Sequence, residues 1–162
     1  MIILGIDPGS RVTGYGLIET KGNQMKHLDS GAYSLFKLEE MSDRLGLLYN
    51  NLSELVQTYH PDVISLEKAF FGVNVRSALL LGQVRGSVLT FAGQVGLSVF
   101  EYSATAVKKA VTGYGRAEKG QIQEMVRLLL SLREIPKPHD AADALAVAIC
   151  HAHSAPPLRI SG

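Results

Sequence analysis

Apolar positions along the chain change their period repeatedly, and each change marks an element. Residues 2–7, Ile-Ile-Leu-Gly-Ile-Asp, are nearly all apolar and predict a buried strand. Pro8-Gly9 closes it, because proline lacks a backbone donor and glycine turns the chain. Val12 to Thr20 alternates loosely and Met25 to Leu35 follows closely, which predicts an antiparallel meander. The period then lengthens. Met41, Leu45, Leu48, Tyr49, Leu52, Leu55, Val56 and Tyr59 recur at three and four, a helix with one apolar face that Pro61 ends. Val63 to Glu67 reads as a strand, about Val75 to Val95 as a glycine-rich helix, and Leu97 to Tyr102 as a fifth strand. Ser103–Val111, Glu118–Leu132 and Asp140–His153 read as three helices, separated by Gly113-Tyr114-Gly115 and Ile135-Pro136-Lys137-Pro138. The order βββαβαβααα predicts an α/β fold, a mixed five-stranded sheet flanked by helices. A right-handed crossover would set the strand ending in Asp7 parallel to, and beside or near, the strand ending in Glu67.

Composition narrows the class. At 162 residues, 46% of them hydrophobic, the chain predicts one domain with an ample core and excludes disorder. We place the domain at residues 1–153 and a tail at 154–162. The single cysteine, Cys150, allows no internal disulfide and suits a reducing compartment. Met1 is followed by neither a basic segment nor a long apolar one, so no signal peptide or membrane span is expected and the location is read as cytoplasmic. A formal net charge of +1 gives no hint of an acidic partner, but the charge is segregated. Residues 104–137 hold seven Lys and Arg against three acids, whereas residues 1–103 carry a net −2.

Acids stand where strands are most apolar. Asp7 closes Ile2–Ile6 and Glu67 closes Val63–Leu66, so parallel strands would bring both to one sheet edge. Asp140 and Asp143 open an apolar helix, and their spacing of three puts both on one face. Each has an ordinary reading: Asp7 as a turn acid, Glu67 as a solvated or Lys-paired strand end, Asp140 as a helix cap with Asp143 in the first turn. Together they form a set of hard oxygen donors suited to Mg²⁺ or Mn²⁺, and a pair of such ions is a common device for phosphodiester cleavage.

These residues carry a resemblance. Ile6-Asp7-Pro8-Gly9-Ser10 with Thr13-Gly14-Tyr15-Gly16, Leu66-Glu67 followed by Phe70, Ala78 through Gly86, Gly113 through Lys119, and Asp140-Ala-Ala-Asp143-Ala-Leu-Ala resemble the RuvC-type Holliday junction resolvases, in that family's order and spacing. The resemblance implies a ribonuclease-H-like fold, a homodimer, and Mg²⁺-dependent nicking of two opposed strands of four-way junction DNA, in recombination and repair. It places the four catalytic, metal-binding acids on Asp7, Glu67, Asp140 and Asp143, with two ions per subunit. His139 is then a neighbour of the site. It also implies partnership with a branch-migration motor. Lys108 and Lys119 match basic positions near the family's active site, where their role would be to neutralise charge on the scissile phosphate. The alternative for Lys119 is a solvated first turn. Lys109, Arg116 and Arg76 are candidate DNA contacts, whereas Arg127 and Arg133 read as a solvated helix face. Phe70 aligns with the family's loop aromatic, which would stack on an unpaired base; core packing is the alternative for it and more so for Phe71.

Other signals lead elsewhere. Gly113-Tyr114-Gly115 starts no phosphate-binding loop, and Cys150, His151 and His153 lack zinc-ligand spacing. The two histidines are expected at the C-terminus of their own helix and Cys150 in the core. Gly82, Gly86 and Gly93 weaken their helix, which calls for close packing inside the chain or across a dimer. Two further readings share some of these features: a junction-binding protein without catalysis, and a ribonuclease-H-like nuclease of RNA. An actin-like ATPase would need two large domains, for which the chain is too short.

Overall fold

A computed structural model describes residues 1–68, 72 and 74–154. Its elements are β1 (Ile2–Asp7), β2 (Val12–Lys21), β3 (Gln24–Ser34), α1 (Met41–Tyr59), β4 (Val63–Glu67), α2 (Val75–Val95), β5 (Ser98–Tyr102), α3 (Ala104–Thr112), α4 (Lys119–Leu129) and α5 (His139–Ser154). The strands form one sheet in the order β3-β2-β1-β4-β5. β1 pairs antiparallel with β2 and parallel with β4, and β4 pairs parallel with β5.

Side chains alternate across a strand, and here both faces are covered. Leu4, Ile6, Leu17, Ile64 and Leu66 pack under α1 and α2 with Leu48, Leu52, Val84, Val88 and Phe91. Ile3 and Ile18 face the other way and pack with Val107, Val111, Ile122, Val126 and the apolar side of α5. Helix ends follow local chemistry. Asn74 and Ser103 accept from the amides of Ser77 and Ala106, while Gly96 and Gly113 take the left-handed conformation that closes α2 and α3.

One expectation changes and two are narrowed. α4 stops at Leu129 rather than Leu132, because Ser131 turns left-handed at φ 52° and the amide of Leu132 reaches back to the Arg127 carbonyl. His151 and His153 lie in the last turn of α5, but their rings bond to other elements. His151 Nδ1 meets the Tyr102 hydroxyl at 2.7 Å, and His153 Nδ1 meets the Ala110 carbonyl of α3 at 2.8 Å. Gly82, Gly86 and Gly93 find no packing among the described residues, since a Cβ added at any of them meets no atom within 4 Å, and of the two alternatives the dimer remains. Cys150 is buried, as expected. Among the described residues, no helix is long and apolar enough to cross a membrane.

One buried polar contact ties the layers together. The Ser65 hydroxyl on β4 donates to the Val147 carbonyl of α5 at 2.8 Å. Ser65→Ala is expected to cost about 1 kcal/mol, lowering the melting temperature by about 2–4 °C. An unchanged melting temperature in calorimetry would show that this bond contributes nothing to α5 docking.

Candidate active site

Strand geometry decides where the acids point. β1 and β4 run in register from Ile3↔Val63 to Ile6↔Leu66, so Asp7 and Glu67 leave the sheet at the same edge. Counting by twos, Asp7 lies on the face of Ile3 and Gly5, and Glu67 on the face of Ser65. That is the face α5 covers.

Helix α5 comes down onto the sheet because β1 and β2 carry glycine at the points where it approaches them most closely. A Cβ at Gly5 would stand 2.1 Å from the Ala144 carbonyl oxygen, one at Gly14 2.0 Å from that of Asp140, and one at Gly16 2.7 Å from Leu145. Ala144 and Ala148 meet Gly5 from the helix side, and both are buried. Gly14 is also the register partner of Asp7. The first turn of α5 is thereby set beside Asp7, with Asp140 inside the helix rather than at its cap. Glycines inside strands are a readable mark of close backbone approach, and Gly14-Tyr15-Gly16 opposite an alanine-rich helix is that signal.

The electrostatics record the crowding. The Asp7 carboxyl is pushed up to about 7, first by burial and then by Asp143, Glu67 and Asp140, with Lys119 pulling the other way. Glu67 is also raised, by burial and by Asp143, while Lys108 opposes the rise. Lys119 Nζ lies 3.3 Å from Asp143 Oδ2. A cavity of about 250 Å³ opens here, lined by Glu67, Asp143, Lys108 and Lys119 over an apolar wall of Ala104, Val107, Ile122 and Ala146.

Such a donor set fits a hard divalent cation in its chemistry, being all carboxylate oxygen with too little positive charge to balance it. Among the described residues, no three acids, histidines or cysteines are gathered tightly enough to ligate one ion as they stand. His139 is exposed, and its Nδ1 engages the Gln123 amide at 2.8 Å.

The remaining expected residues divide. Lys108 and Lys119 reach the cavity. Arg76, Lys109 and Arg116 are exposed, make no ion pair among the described residues, and do not line the cavity. Arg127 is paired with Glu124 on its own helix, in keeping with a solvated face. Phe70 and Phe71 lie outside the described residues. Sequence reasoning passed over Arg85, whose guanidinium donates to the Glu67 carbonyl. It stood inside a motif but carried no individual role.

Comparison with known proteins points one way. The family model for crossover junction endodeoxyribonuclease RuvC matches residues 3–151. A crossover junction endodeoxyribonuclease RuvC of Heliobacterium modesticaldum is 53% identical over 154 residues, 95% of each chain. That of Citrifermentans bemidjiense is 52% identical over 155 residues, 96% of this chain and 94% of its own. The structure of Thermus thermophilus RuvC in complex with a Holliday junction substrate superposes with a TM-score of 0.86 at 30% identity, covering 94% of each chain. The sheet and its helix layers are thus ribonuclease-H-like.

Proposed function

The chain belongs to the RuvC family of crossover junction endodeoxyribonucleases, and from that premise we propose that Asp7, Glu67, Asp140 and Asp143 are its catalytic acids. The protein is a metal-dependent nuclease of crossover junctions. The observation that carries our assignment is the Asp7 carboxyl, raised to about 7 by burial and three other acids brought in by β4 and α5. Crowded carboxylates of this kind are what a cation site requires.

The four acids would hold two Mg²⁺ ions per subunit, with Mn²⁺ able to substitute; when bound, such ions supply an activated water and stabilise the leaving oxygen. Lys119 balances Asp143 from 3.3 Å, and its side chain is 61% exposed, free to turn toward a phosphate oxygen. Lys108 performs the same service for Glu67. The apolar wall of Ala104, Val107, Ile122 and Ala146 excludes water behind the reacting phosphate, which strengthens these charges. Lys109, Arg116 and Arg76 engage flanking phosphates, and Phe70 stacks at the branch point.

We read residues 1–153 as one nuclease domain that acts as a homodimer, since paired cuts on opposed strands need two copies of the site. Helix α2 supports this. Val75, Leu79, Gly82, Gly86, Leu89 and Gly93 recur at four and three along its outer face, the spacing of a helix–helix seam. Val75 is 72% exposed and Leu79 65%, and the glycines leave room for a closely approaching helix. A branch-migration motor as partner and a cytoplasmic location complete the reading.

Nicking of four-way, three-way and linear duplex DNA with Mg²⁺ tests it. Paired nicks on opposed strands of the four-way substrate are expected, with little cutting of the others. Equal cutting of all three would overturn junction selectivity.

A further inference from the structure

Glu67 is the last residue of β4, and the β1–β4 register ends one residue earlier, at Ile6↔Leu66. On the β5 side it is aligned with Tyr102, and the next amide, that of Lys68, bonds the Tyr102 carbonyl at 2.7 Å. On the β1 side, among the described residues, no strand pairing reaches it. There the guanidinium of Arg85, from the middle of α2, donates through one Nη to the Glu67 carbonyl at 2.5 Å. Its other Nη engages the Glu101 carboxylate of β5. The Arg85 side chain is only 13% exposed, so its charge is committed to these two partners. Arginine suits the task because its planar fork serves two acceptors at fixed angles, which a lysine cannot. A charge-assisted bond to a carbonyl is also stronger than a neutral one.

We propose that Arg85 is a positioning residue for Glu67: it fixes the peptide that carries this carboxylate, and so sets the carboxylate's direction toward the other acids. Glu101 orients the guanidinium. The inference rests on the reading of Glu67 as a cation ligand and extends that reading to a residue that does not line the cavity. Partners that orient a ligand typically change metal affinity about 10–100-fold when removed.

A double-mutant cycle in Mn²⁺ affinity, followed by electron paramagnetic resonance on the purified protein without DNA, tests this. Arg85→Gln is expected to weaken Mn²⁺ binding about tenfold in the parent chain and to have no effect in the Glu67→Gln background. Four-way junction affinity, measured without metal, should stay within about twofold. Glu101→Gln, which leaves the donor to the carbonyl in place, should lie between parent and Arg85→Gln. Equal weakening in both backgrounds would overturn the positioning role and mark Arg85 as a general structural residue. Unchanged Mn²⁺ affinity in Glu67→Gln alone would remove Glu67 from the site, and the proposal with it. If Arg85→Gln does not fold, Arg85→Lys carries the same cycle, since an ammonium lacks the planar fork that holds both oxygens at fixed angles.

Discussion

Asp7→Asn is expected to abolish junction cleavage, a loss on the order of a thousandfold or more, and at the same time to make the metal-free protein more stable at alkaline pH. Both effects have one cause. The Asp7 carboxyl titrates near 7 in the folded chain against 3.8 as its ordinary value. A carboxyl raised on folding contributes its full stability below the lower value. It loses that contribution as pH climbs through the higher one. A rise of about 3 pK units corresponds to about 4 kcal/mol, or roughly 10 °C in melting temperature for a chain of this length. Asparagine keeps the shape without the charge. Thermal melts in chelator should therefore show Asp7→Asn well above the parent at pH 8, converging toward pH 4. Saturating Mg²⁺ should close the gap at pH 8, because a bound cation stabilises the parent selectively. Equal melting temperatures at pH 8 in chelator would contradict the crowding of acids, whatever happens to cleavage.

Gly14→Ala should be nearly as severe for a different reason. The added methyl would sit 2.0 Å from the Asp140 carbonyl oxygen and 2.5 Å from its carbon, both backbone atoms that cannot rotate away. Helix α5 has to lift, and its first turn carries Asp140. A shift of about 1 Å at a reacting centre costs about a hundredfold in rate, and overpacking adds about 1–3 kcal/mol of destabilisation. Gly46→Ala in α1 is the control, since nothing lies within 4 Å of its added Cβ. It should stabilise by about 0.5–1 kcal/mol and leave nicking unchanged. Gly14→Ala cutting at the parent rate would show that the α5 contact does not set the acids' spacing.

Periodicity made the order of all ten elements legible, because each strand and helix buries its apolar residues at its own repeat. The acids were legible too. Asp7 and Glu67 end strands that are otherwise apolar, and a crossover rule places two such strands side by side. What escaped was pairwise. Nothing local says that His151 will find Tyr102, that His153 will cross to α3, or that Arg85 will reach back to β4, because each partner is defined only after the sheet and helices assemble. The end of α4 was misjudged for a related reason. Leu129, Leu130 and Leu132 continue the apolar run, and burial past a helix end looks in sequence like more helix.

The contact between α5 and the glycines of β1 and β2 also bears on how the protein is made. Gly5 belongs to the first strand and Ala144 to the last helix, so residues from opposite ends of the chain must meet before the four carboxylates share one place. A ribosome-bound chain that has emerged only as far as α4 carries Asp7 and Glu67 but neither Asp140 nor Asp143. It cannot cut. Contacts of such wide separation also form late and slowly. On that assignment, the nuclease is expected to stay silent until α5 docks on the sheet, at the closing step of folding.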